Sequence, residues 1–526
     1  MRALITRSMV LALLGAAVTG LGCEAEPSSG TDAGATAADG SAADGSAADG
    51  NATGDPDGDA FVQTAVKGPG PTPLQCPAGA TEKNGGGVGV VTRWCELSNG
   101  QRHGPYKRWN SNGLLILERS YDGGKQHGVW RAWDANGSLI SEEGWQHGKR
   151  HGITRRFYPG GVPQSVEHWH EGQQHGTFEQ FWPNGAKQSK ATFAHGKPQG
   201  VQEGWYQDGG DFYRYTYEDG KPVGIWKRWY EDGAVQQEQP YVDGKQHGVE
   251  RWFWPDGSKQ RETEWQDGQR NGDDRGWYQD GKPQYHYVYV KGQPNGLWQQ
   301  FYPSGNKQSE QRYVAGQPHG TWSSWYEGGV LASRQDYHQG KQHGVQQTFW
   351  PQGKLQSERN WENGAIHGLE KAFAVTGQQI LSVMWQTHKK HGVEQRWAEN
   401  GALIVQGNWQ QNLRQGEWLA FYADGKKLHI AQWQSDQLEG AFVAWFQNGT
   451  QAMDHGYWQG LFHGPRKVWY ADGSKAREEG WNKGQKNGRH QHWGPDGAWI
   501  SGGCWKQGAS VWQAKEATES ADKACP

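Results

Sequence analysis

Glycine and aromatic residues recur along most of the chain with one fixed period. If the glycine of a recurrent His-Gly pair is taken as position 0 of a unit, glycine returns every 24 residues from Gly104 to Gly488. This spacing gives seventeen consecutive units without an insertion. Such a period is typical of one supersecondary unit stacked along an axis, where each copy buries its surface on its neighbours.

Two further positions mark turns within each unit. Position 9 is always glycine, and position 20 is glycine in fourteen units and His388, Asn412 or Asp436 in the other three. These residue types tolerate positive φ, so both positions predict tight turns between strands of six to eight residues rich in Trp, Tyr and Val. The sequence therefore predicts an all-β fold, an elongated array of about seventeen 24-residue β-hairpin repeats that forms a twisted antiparallel ribbon.

Aromatic residues form columns in this array. Position 5 is always Trp or Phe, which predicts a packed, structural ladder, beginning with Trp109, Trp133, Phe157, Phe181, Trp205 and Trp229. Because neighbours in a strand face opposite ways, position 6 predicts a candidate binding face on the other side, formed by Tyr158, Trp182, Tyr206, Tyr230, Trp254, Tyr278, Tyr302, Tyr326 and Trp350. Position 17 is also aromatic, but its face stays open because a one-residue bulge would reverse it.

The recurring segments carry a family resemblance. Residues 121–130 (YDGGKQHGVW) and 241–250 (YVDGKQHGVE) resemble MORN repeats, in particular the YwqK-like variant, and the resemblance covers approximately residues 97 to 508. It implies a β-hairpin array used in protein or lipid association.

The first residues predict export and a membrane anchor. Arg2 and Arg7 precede a short apolar run, which indicates a signal peptide over residues 1–22. Cys23 after Gly22 resembles the bacterial lipobox, which implies cleavage before Cys23 and lipidation of its thiol. Residues 23–75, acidic and rich in small residues, predict a disordered linker. We therefore expect a lipid-anchored protein of the cell envelope, at the outer membrane.

The other four cysteines lie at the two ends of the array, which we place at residues 104–511. Cys76 and Cys95 precede it, Cys504 lies in its last unit and Cys525 follows it. A disulfide needs Cα atoms within about 7 Å, so a long array predicts one local bridge at each end. We expect a disulfide cap over residues 76–103 and a C-terminal tail or cap over residues 512–526.

Composition and motifs argue against several functions. The formal charge is −3 and the sequence has no block of Lys and Arg, so it does not predict the basic surface that binds nucleic acid. No nucleophile motif is present and no insertion interrupts the array, so we expect neither an enzyme nor a cofactor. The His-Gly histidines lie one unit, about 10 Å, apart, too far to share an ion, and we expect turn hydrogen bonding and no metal site; they are His103, His127, His151, His175, His247, His319, His343, His367, His391 and His463.

The predicted function is a non-catalytic surface or periplasmic lipoprotein that binds a protein partner, or another copy of itself, through an aromatic face. The first alternative is binding of a cell-wall or exopolysaccharide glycan by stacked Trp and Tyr, supported by a glutamine column at position 12: Gln164, Gln188, Gln236, Gln260, Gln284, Gln308 and Gln356. The second is a rigid structural spacer. The sequence identifies neither the ligand nor the oligomeric state.

Overall fold

The computed structural model describes residues 71–516, 518, 524 and 525. The chain divides into two units, residues 1–62 and 63–526, and every described residue belongs to the second. The predicted signal peptide at residues 1–22, Cys23 and the linker as far as residue 70 lie outside the described residues.

One antiparallel sheet of 44 strands contains all the strands of the described residues. Each long strand pairs with the next long strand along the chain, as in the hairpin of Gly104–Trp109 with Leu115–Tyr121. The first strand pairs only with the second and the last only with the one before it, so the sheet is open. The predicted all-β array of hairpin repeats is confirmed.

The strands alternate between the outgoing and returning arms of the hairpins. Seven of them are two-residue segments, formed where the outgoing arm is interrupted at position 23, which is His, Gln or Asn in these units. As β1 to β44 in chain order they are Ala80–Gly85, Val91–Leu97, Arg102–Trp109, Leu115–Asp122, Lys125–Gln126, Gly128–Trp133, Leu139–Gln146, Lys149–Phe157, Pro163–His170, Gln173–Phe181, Lys187–Ala194, Lys197–Pro198, Gly200–Trp205, Asp211–Glu218, Lys221–Trp229, Val235–Val242, Lys245–Gln246, Gly248–Phe253, Lys259–Gln266, Gln269–Trp277, Pro283–Val290, Gln293–Pro294, Gly296–Phe301, Lys307–Val314, Gln317–Pro318, Gly320–Trp325, Leu331–His338, Lys341–Gln342, Gly344–Phe349, Leu355–Glu362, Ala365–Phe373, Gln379–Gln386, Lys389–Trp397, Leu403–Gln410, Leu413–Phe421, Lys427–Gln434, Gln437–Trp445, Gln451–Trp458, Leu461–Trp469, Lys475–Asn482, Gln485–Lys486, Gly488–Trp493, Trp499–Lys506 and Ala509–Ala514.

The first turn of each unit spans positions 6 to 10. In the unit of Gly248, the N–H of Gly257 donates to the carbonyl of Trp254, and Gly257 has a φ of 80°. This is a four-residue turn closed by a glycine in the left-handed region. The side chain of Asp256 accepts the N–H of Ser258 at 2.8 Å, which explains why Asn or Asp often precedes the glycine.

The second turn is a two-residue hairpin at positions 19 and 20. Both residues have positive φ, as in His147 (49°) and Gly148 (85°), which defines a type I′ turn. His388, Asn412 and Asp436 take φ values of 64°, 70° and 68°, which confirms the turn predicted at position 20.

A bulge at position 12 decides which residues share a face. Arg108 pairs with Leu117 and Trp109 with Leu115, so Ile116 at position 12 has no opposite partner. The same shift recurs along the array. Positions 2, 4, 13, 15 and 17 consequently share one face, called here the acid–aromatic face, and positions 3, 5, 11 and 14 share the opposite, ion-pair face.

The ion-pair face is stabilised by cross-strand charges. Lys and Arg at position 3 contact Glu at position 14, as in Lys107 with Glu118 (2.8 Å) and Lys227 with Glu238 (2.8 Å). Arg131 contacts both Glu118 (3.3 Å) and Glu142 (2.8 Å), so the pairs also connect neighbouring hairpins. A network of this kind contributes more than isolated surface pairs do.

Disulfides close both ends of the sheet. Cys76 bonds to Cys95 and Cys504 to Cys525, each with a Cα–Cα distance of 5.5 Å, which is the pairing that the capping argument predicts. Cys95 and Cys504 are fully buried. Among the described residues there is no helix long and apolar enough to cross a membrane.

Candidate binding surfaces

The aromatic residues at position 6 connect neighbouring hairpins. In eight units a Tyr hydroxyl donates to the backbone carbonyl of the position-5 residue in the next unit, at 2.8 to 3.1 Å, and Trp182 and Trp350 donate through Nε1 to the equivalent carbonyl at 3.2 Å. The eight are Tyr158, Tyr206, Tyr230, Tyr278, Tyr302, Tyr326, Tyr422 and Tyr470. The series forms an inter-unit clasp along the first-turn edge of the sheet.

This placement corrects the sequence argument for the candidate binding face. Position 6 is the first residue of the turn, so it does not follow the alternation of the preceding strand. The nine predicted residues, Tyr158, Trp182, Tyr206, Tyr230, Trp254, Tyr278, Tyr302, Tyr326 and Trp350, are half-buried. All but Trp254 use their polar atom in the clasp, so only their ring surfaces are left for a ligand.

The ladder at position 5 lies on the ion-pair face. Lysines at position 11 of the preceding unit cover its rings, with Lys307 Nζ 5.2 Å from the Trp325 ring and Lys259 Nζ 5.8 Å from the Trp277 ring. Trp109 and Phe157 at the start of the ladder are buried. The structural role predicted for this column agrees with these contacts.

A run of seven touching rings in the middle of the array lies on the acid–aromatic face. Tyr287 stacks on Trp298 at 4.3 Å between ring centroids, and Trp298 contacts Tyr313 at 4.9 Å. We call this run the central aromatic cluster: Tyr285, Tyr287, Tyr289, Trp298, Tyr313, Trp322 and Tyr337. Its members are half-buried, and burial raises the pKa of Tyr287 and Tyr313, so these phenols stay neutral.

Buried carboxylates occupy the same face in later units. Glu394 has a side chain only 1 % exposed and accepts hydrogen bonds from Lys390 Nζ (2.8 Å), Arg396 Nε (2.6 Å) and Trp409 Nε1 (2.6 Å). Burial alone would raise the pKa of Glu394, but the hydrogen bonds from Lys390 and Arg396 outweigh it and lower the pKa. These charges are already satisfied within the protein.

A hollow between two units brings glutamines beside aromatic rings. It is lined by Trp252, Gln260, Arg261, Gln284 and Tyr285. The two glutamines belong to the position-12 column, but their ring neighbours come from positions 4 and 13 and not from position 6.

The His-Gly column fixes turns. A side-chain acceptor at position 23 receives the backbone N–H of position 19 in the next unit, as from Gly123 to His103 Nδ1 (3.2 Å) and from His195 to His175 Nδ1 (3.4 Å). Gln199 and Asn295 replace histidine in the same contact, to Asp219 (2.8 Å) and Ala315 (3.2 Å). A requirement for an acceptor explains why His, Gln, Asn and Glu interchange here.

Sequence reasoning missed the acid–aromatic face because its residues vary from unit to unit. Position 2 carries Trp298 in one unit and Glu394 in another. Apart from position 17, whose face the sequence leaves open, no column of this face keeps one type of residue, so the repeat pattern does not reveal it. Strand alternation counted outward from position 17 could have found it.

Comparisons with known proteins agree with the repeat. A family model described as a MORN repeat variant matches residues 126–147, 174–195, 222–243, 246–267, 294–315, 318–339 and 342–363. No curated protein matches the chain. A solved structure titled "Crystal Structure of TcdB2-TccC3" aligns over 82% of this chain and 28% of its own at 11% identity. Its TM-score is 0.13, so that likeness carries no argument, and this chain spans under a third of that chain's length.

The seven matched segments share the register of the other units. Each starts at position 22 and ends at position 19 of the next unit, so successive matches are separated by multiples of 24 residues. The unmatched units pair in the same sheet and carry the same bulge and turns. Seven units of this chain are therefore MORN repeats of the variant form, and the other units share their period, bulge and turns.

Proposed function

We propose that this protein is a non-catalytic scaffold that binds a protein partner through the acid–aromatic face, at the central aromatic cluster. The observation that carries the proposal is the run of ring contacts from Tyr285 to Tyr337, with centroids 4.3 to 5.1 Å apart. Half-buried Tyr and Trp on a rigid sheet offer large contact areas at low entropic cost, as in the energetic centres of protein interfaces.

The scaffold geometry supports the proposal. Every described hairpin is tied to the next by backbone pairing, and in many units ion pairs or the position-6 clasp add to it, so rings from several units keep fixed relative positions. Preorganised rings lower the entropic cost of association. With the predicted signal peptide, lipid on Cys23 and the linker, we place this scaffold in the cell envelope, tethered to the outer membrane.

The experiment uses substitutions that the repeat already contains. Position 15 holds Tyr287 in the central aromatic cluster and Tyr215 in an earlier unit, where it stacks on Trp226 at 4.3 Å, but Gln239, Gln311 and Gln335 elsewhere. Tyr215→Gln combined with Tyr287→Gln should therefore keep the fold while removing two stacked rings. The full chain is cross-linked in its own envelope, the captured protein is identified, and its affinity for purified scaffold is measured. We expect the double variant to lose about tenfold or more in affinity.

A matched variant tests the other aromatic column. Ala374 and Ala398 already stand at position 6, so Tyr278→Ala, Tyr302→Ala and Tyr326→Ala can be combined. This triple variant should retain the partner. If it loses the partner while the position-15 variant binds normally, the position-6 stripe is the binding face and the central cluster is structural.

Glycan binding is the second candidate, and the hollow of Trp252, Gln260 and Tyr285 favours it. Rings that stack on a sugar and amides that bond its hydroxyls are the groups such a site needs. Position 12 holds Ala332, Ala452 and Ala476 in other units. Combining Gln260→Ala with Gln284→Ala should therefore leave the fold intact but abolish a tryptophan fluorescence change caused by cell-wall or exopolysaccharide glycans. Without a fluorescence change in the wild-type chain, the glycan candidate fails.

A further inference from the structure

A cluster of metal-binding side chains lies at the second-turn edge of the sheet, away from the aromatic cluster. Asp122 ends strand β4, His127 belongs to the next His-Gly pair, and His147 opens the following type I′ turn. One possible ligand atom from each of the three lies within 4.8 Å of the other two. Nδ1 of His147 is 4.0 Å from Asp122 Oδ2, and the two imidazole centroids are 5.5 Å apart.

We propose that Asp122, His127 and His147 bind a Zn²⁺ ion that links two neighbouring repeat units. Two imidazoles and a carboxylate, with water as the fourth ligand, are a common zinc ligand set. Tetrahedral zinc with bonds of about 2.0–2.1 Å separates its ligands by about 3.3 Å, so the side chains need to close by about 1 Å. The side chains of His147 and Asp122 are 66% and 48% exposed and can make this movement.

His127 lacks the turn hydrogen bond of other position-23 histidines, as His151 and His391 do, but of these three only His127 lies beside two further ligand side chains among the described residues. In the equivalent contacts, Nδ1 of His103 and of His175 accepts the N–H of the following turn. Nδ1 of His127 is buried and has no hydrogen-bond partner among the described residues. A buried, unpartnered imidazole nitrogen is costly unless something binds it, and a metal ion would satisfy it.

Neither the spacing of the position-23 histidines nor close pairs such as His147 and His151 predict this site, because its carboxylate comes from the preceding unit. The histidines of position 23 lie a unit apart, but the cluster draws its ligands from positions 18 and 23 of one unit and position 19 of the next. The type I′ turn folds position 19 back over the preceding unit, and this tertiary contact brings the three columns together. Zinc tolerates ligand sets assembled in this way because its filled d shell imposes no geometry.

Other units provide comparisons within the same chain. His170, His175 and His195 occupy the three equivalent positions, with ring centroids 5.7 and 4.8 Å apart, but Nδ1 of His175 is occupied by the turn hydrogen bond. At His338 and His343 the third position is Asn363. The first cluster therefore has the most complete and most available ligand set of the three.

The test measures Zn²⁺ binding to the purified, EDTA-treated full chain by competition with a chromophoric chelator. The chosen substitutions are native at the same positions elsewhere: His127→Asn as in Asn271, His147→Gln as in Gln339, and Asp122→Gln as in Gln146. We expect each variant to weaken the tightest zinc site by more than about tenfold, since even indirect partners of a zinc ligand contribute that much. His343→Asn is the matched control and should leave this affinity unchanged.

A second background separates the two histidine clusters. In a chain carrying His170→Gln, His175→Asn and His195→Gln, one tight site should remain, and His127→Asn should then abolish it. The proposal is overturned if the wild-type chain does not bind micromolar Zn²⁺. It is also overturned if tight binding disappears with the His170, His175 and His195 substitutions and is indifferent to His127→Asn.

Discussion

At the residue scale, the repeat depends on a few side chains placed in unfavourable settings. Position 19 has a φ near 50° in every unit from Gly123 to Gln507, although all of these residues except Gly123 carry a side chain. The left-handed region costs an L-residue roughly 1–2 kcal/mol of conformational free energy. This cost is smallest for Asn, which tolerates the region. The type I′ turn itself supplies the compensation, since it matches the twist of the strands that it joins.

Thr387 is the least suitable residue at position 19, because it is β-branched and has a φ of 48°. Thr387→Asn should raise the free energy of unfolding by about 1 kcal/mol. The shift in the urea midpoint measures it. The reciprocal change Asn363→Thr, at the same position one unit earlier, should lower stability by a similar amount. If both variants unfold at the urea midpoint of the wild-type chain, the explanation is wrong.

Glu479 makes the stability of the array depend on pH in the acid range. Burial alone would raise the pKa of this carboxyl, but hydrogen bonds from His492 (3.0 Å) and Arg466 (2.7 Å) outweigh it and lower the pKa to about 2. Because the pKa is lower in the folded state, the stabilisation is complete above about pH 4.5 and is lost as the pH falls towards 2. With a side chain only 4% exposed, the effect amounts to about 3 kcal/mol.

The prediction is tested by Glu479→Gln. This variant should be less stable at neutral pH and should lose much less further stability between about pH 5 and pH 2 than the wild-type chain does. Urea midpoints across that range measure the difference. Glu478→Gln on the opposite, ion-pair face is the control: Glu478 is 39% exposed and contacts Lys475, so its loss should change little.

At the scale of the element, neighbouring hairpins are joined by three kinds of contact besides strand pairing. The position-6 hydroxyl bonds the next unit at the first-turn edge, and the position-23 acceptor bonds the next unit at the second-turn edge. Ion pairs such as Arg131 with Glu118 and Glu142 bridge units across the middle. A single sheet has no second layer to cover it, so these contacts replace much of an ordinary core.

Val223 interrupts the second-turn contacts, because it is the one residue without a side-chain acceptor at this position between His103 and Asn487. Val223→Asn should give the N–H of Asp243 the partner that Asn295 gives to Ala315, and should stabilise the chain by about 1 kcal/mol. Slower hydrogen exchange at the Asp243 amide would show the new bond directly. Asn295→Val is the reverse control, with faster exchange expected at Ala315.

The first-turn clasp can be weakened one bond at a time. Tyr302→Phe removes the hydroxyl that donates to Trp325 at 2.9 Å but keeps the ring, and should cost about 0.5–1.5 kcal/mol. Phe446 stands at the same position with no hydroxyl, so Phe446→Tyr should have the opposite effect. Thermal unfolding compares them. A neutral result for both would mean that the clasp bonds contribute nothing net.

At the scale of the whole molecule, the array is a linear chain of local contacts. Each hairpin pairs only with its neighbours, so stability is close to a sum of unit and interface terms. The ends are the weakest points because each has one neighbour and an open strand edge, at β1 and at β44. The two disulfides lie at these ends.

Loss of an end disulfide should therefore act locally. Cys525→Ser with Cys504→Ser should raise hydrogen exchange in Trp499–Lys506 and Ala509–Ala514, leaving the central units unchanged. Cys76→Ser with Cys95→Ser is the matched variant and should affect only Ala80–Gly85 and Val91–Leu97. Faster exchange throughout the array in either variant would show that the units do not behave as a linear series.

The sequence by itself determined the repeat, its phase and the strand–turn order, because glycines at positions 0, 9 and 20 report backbone angles that few other residues adopt. It could not assign the faces, because they depend on the bulge at position 12. At this bulge one residue is left unpaired, and only the pairing with the neighbouring strand shows which one. It did not find the turn residue at position 19, where side chains such as Lys291 carry no local signal of positive φ. The aromatic cluster and the Asp122, His127 and His147 cluster also came only from the tertiary structure, because each assembles residues from different columns and units.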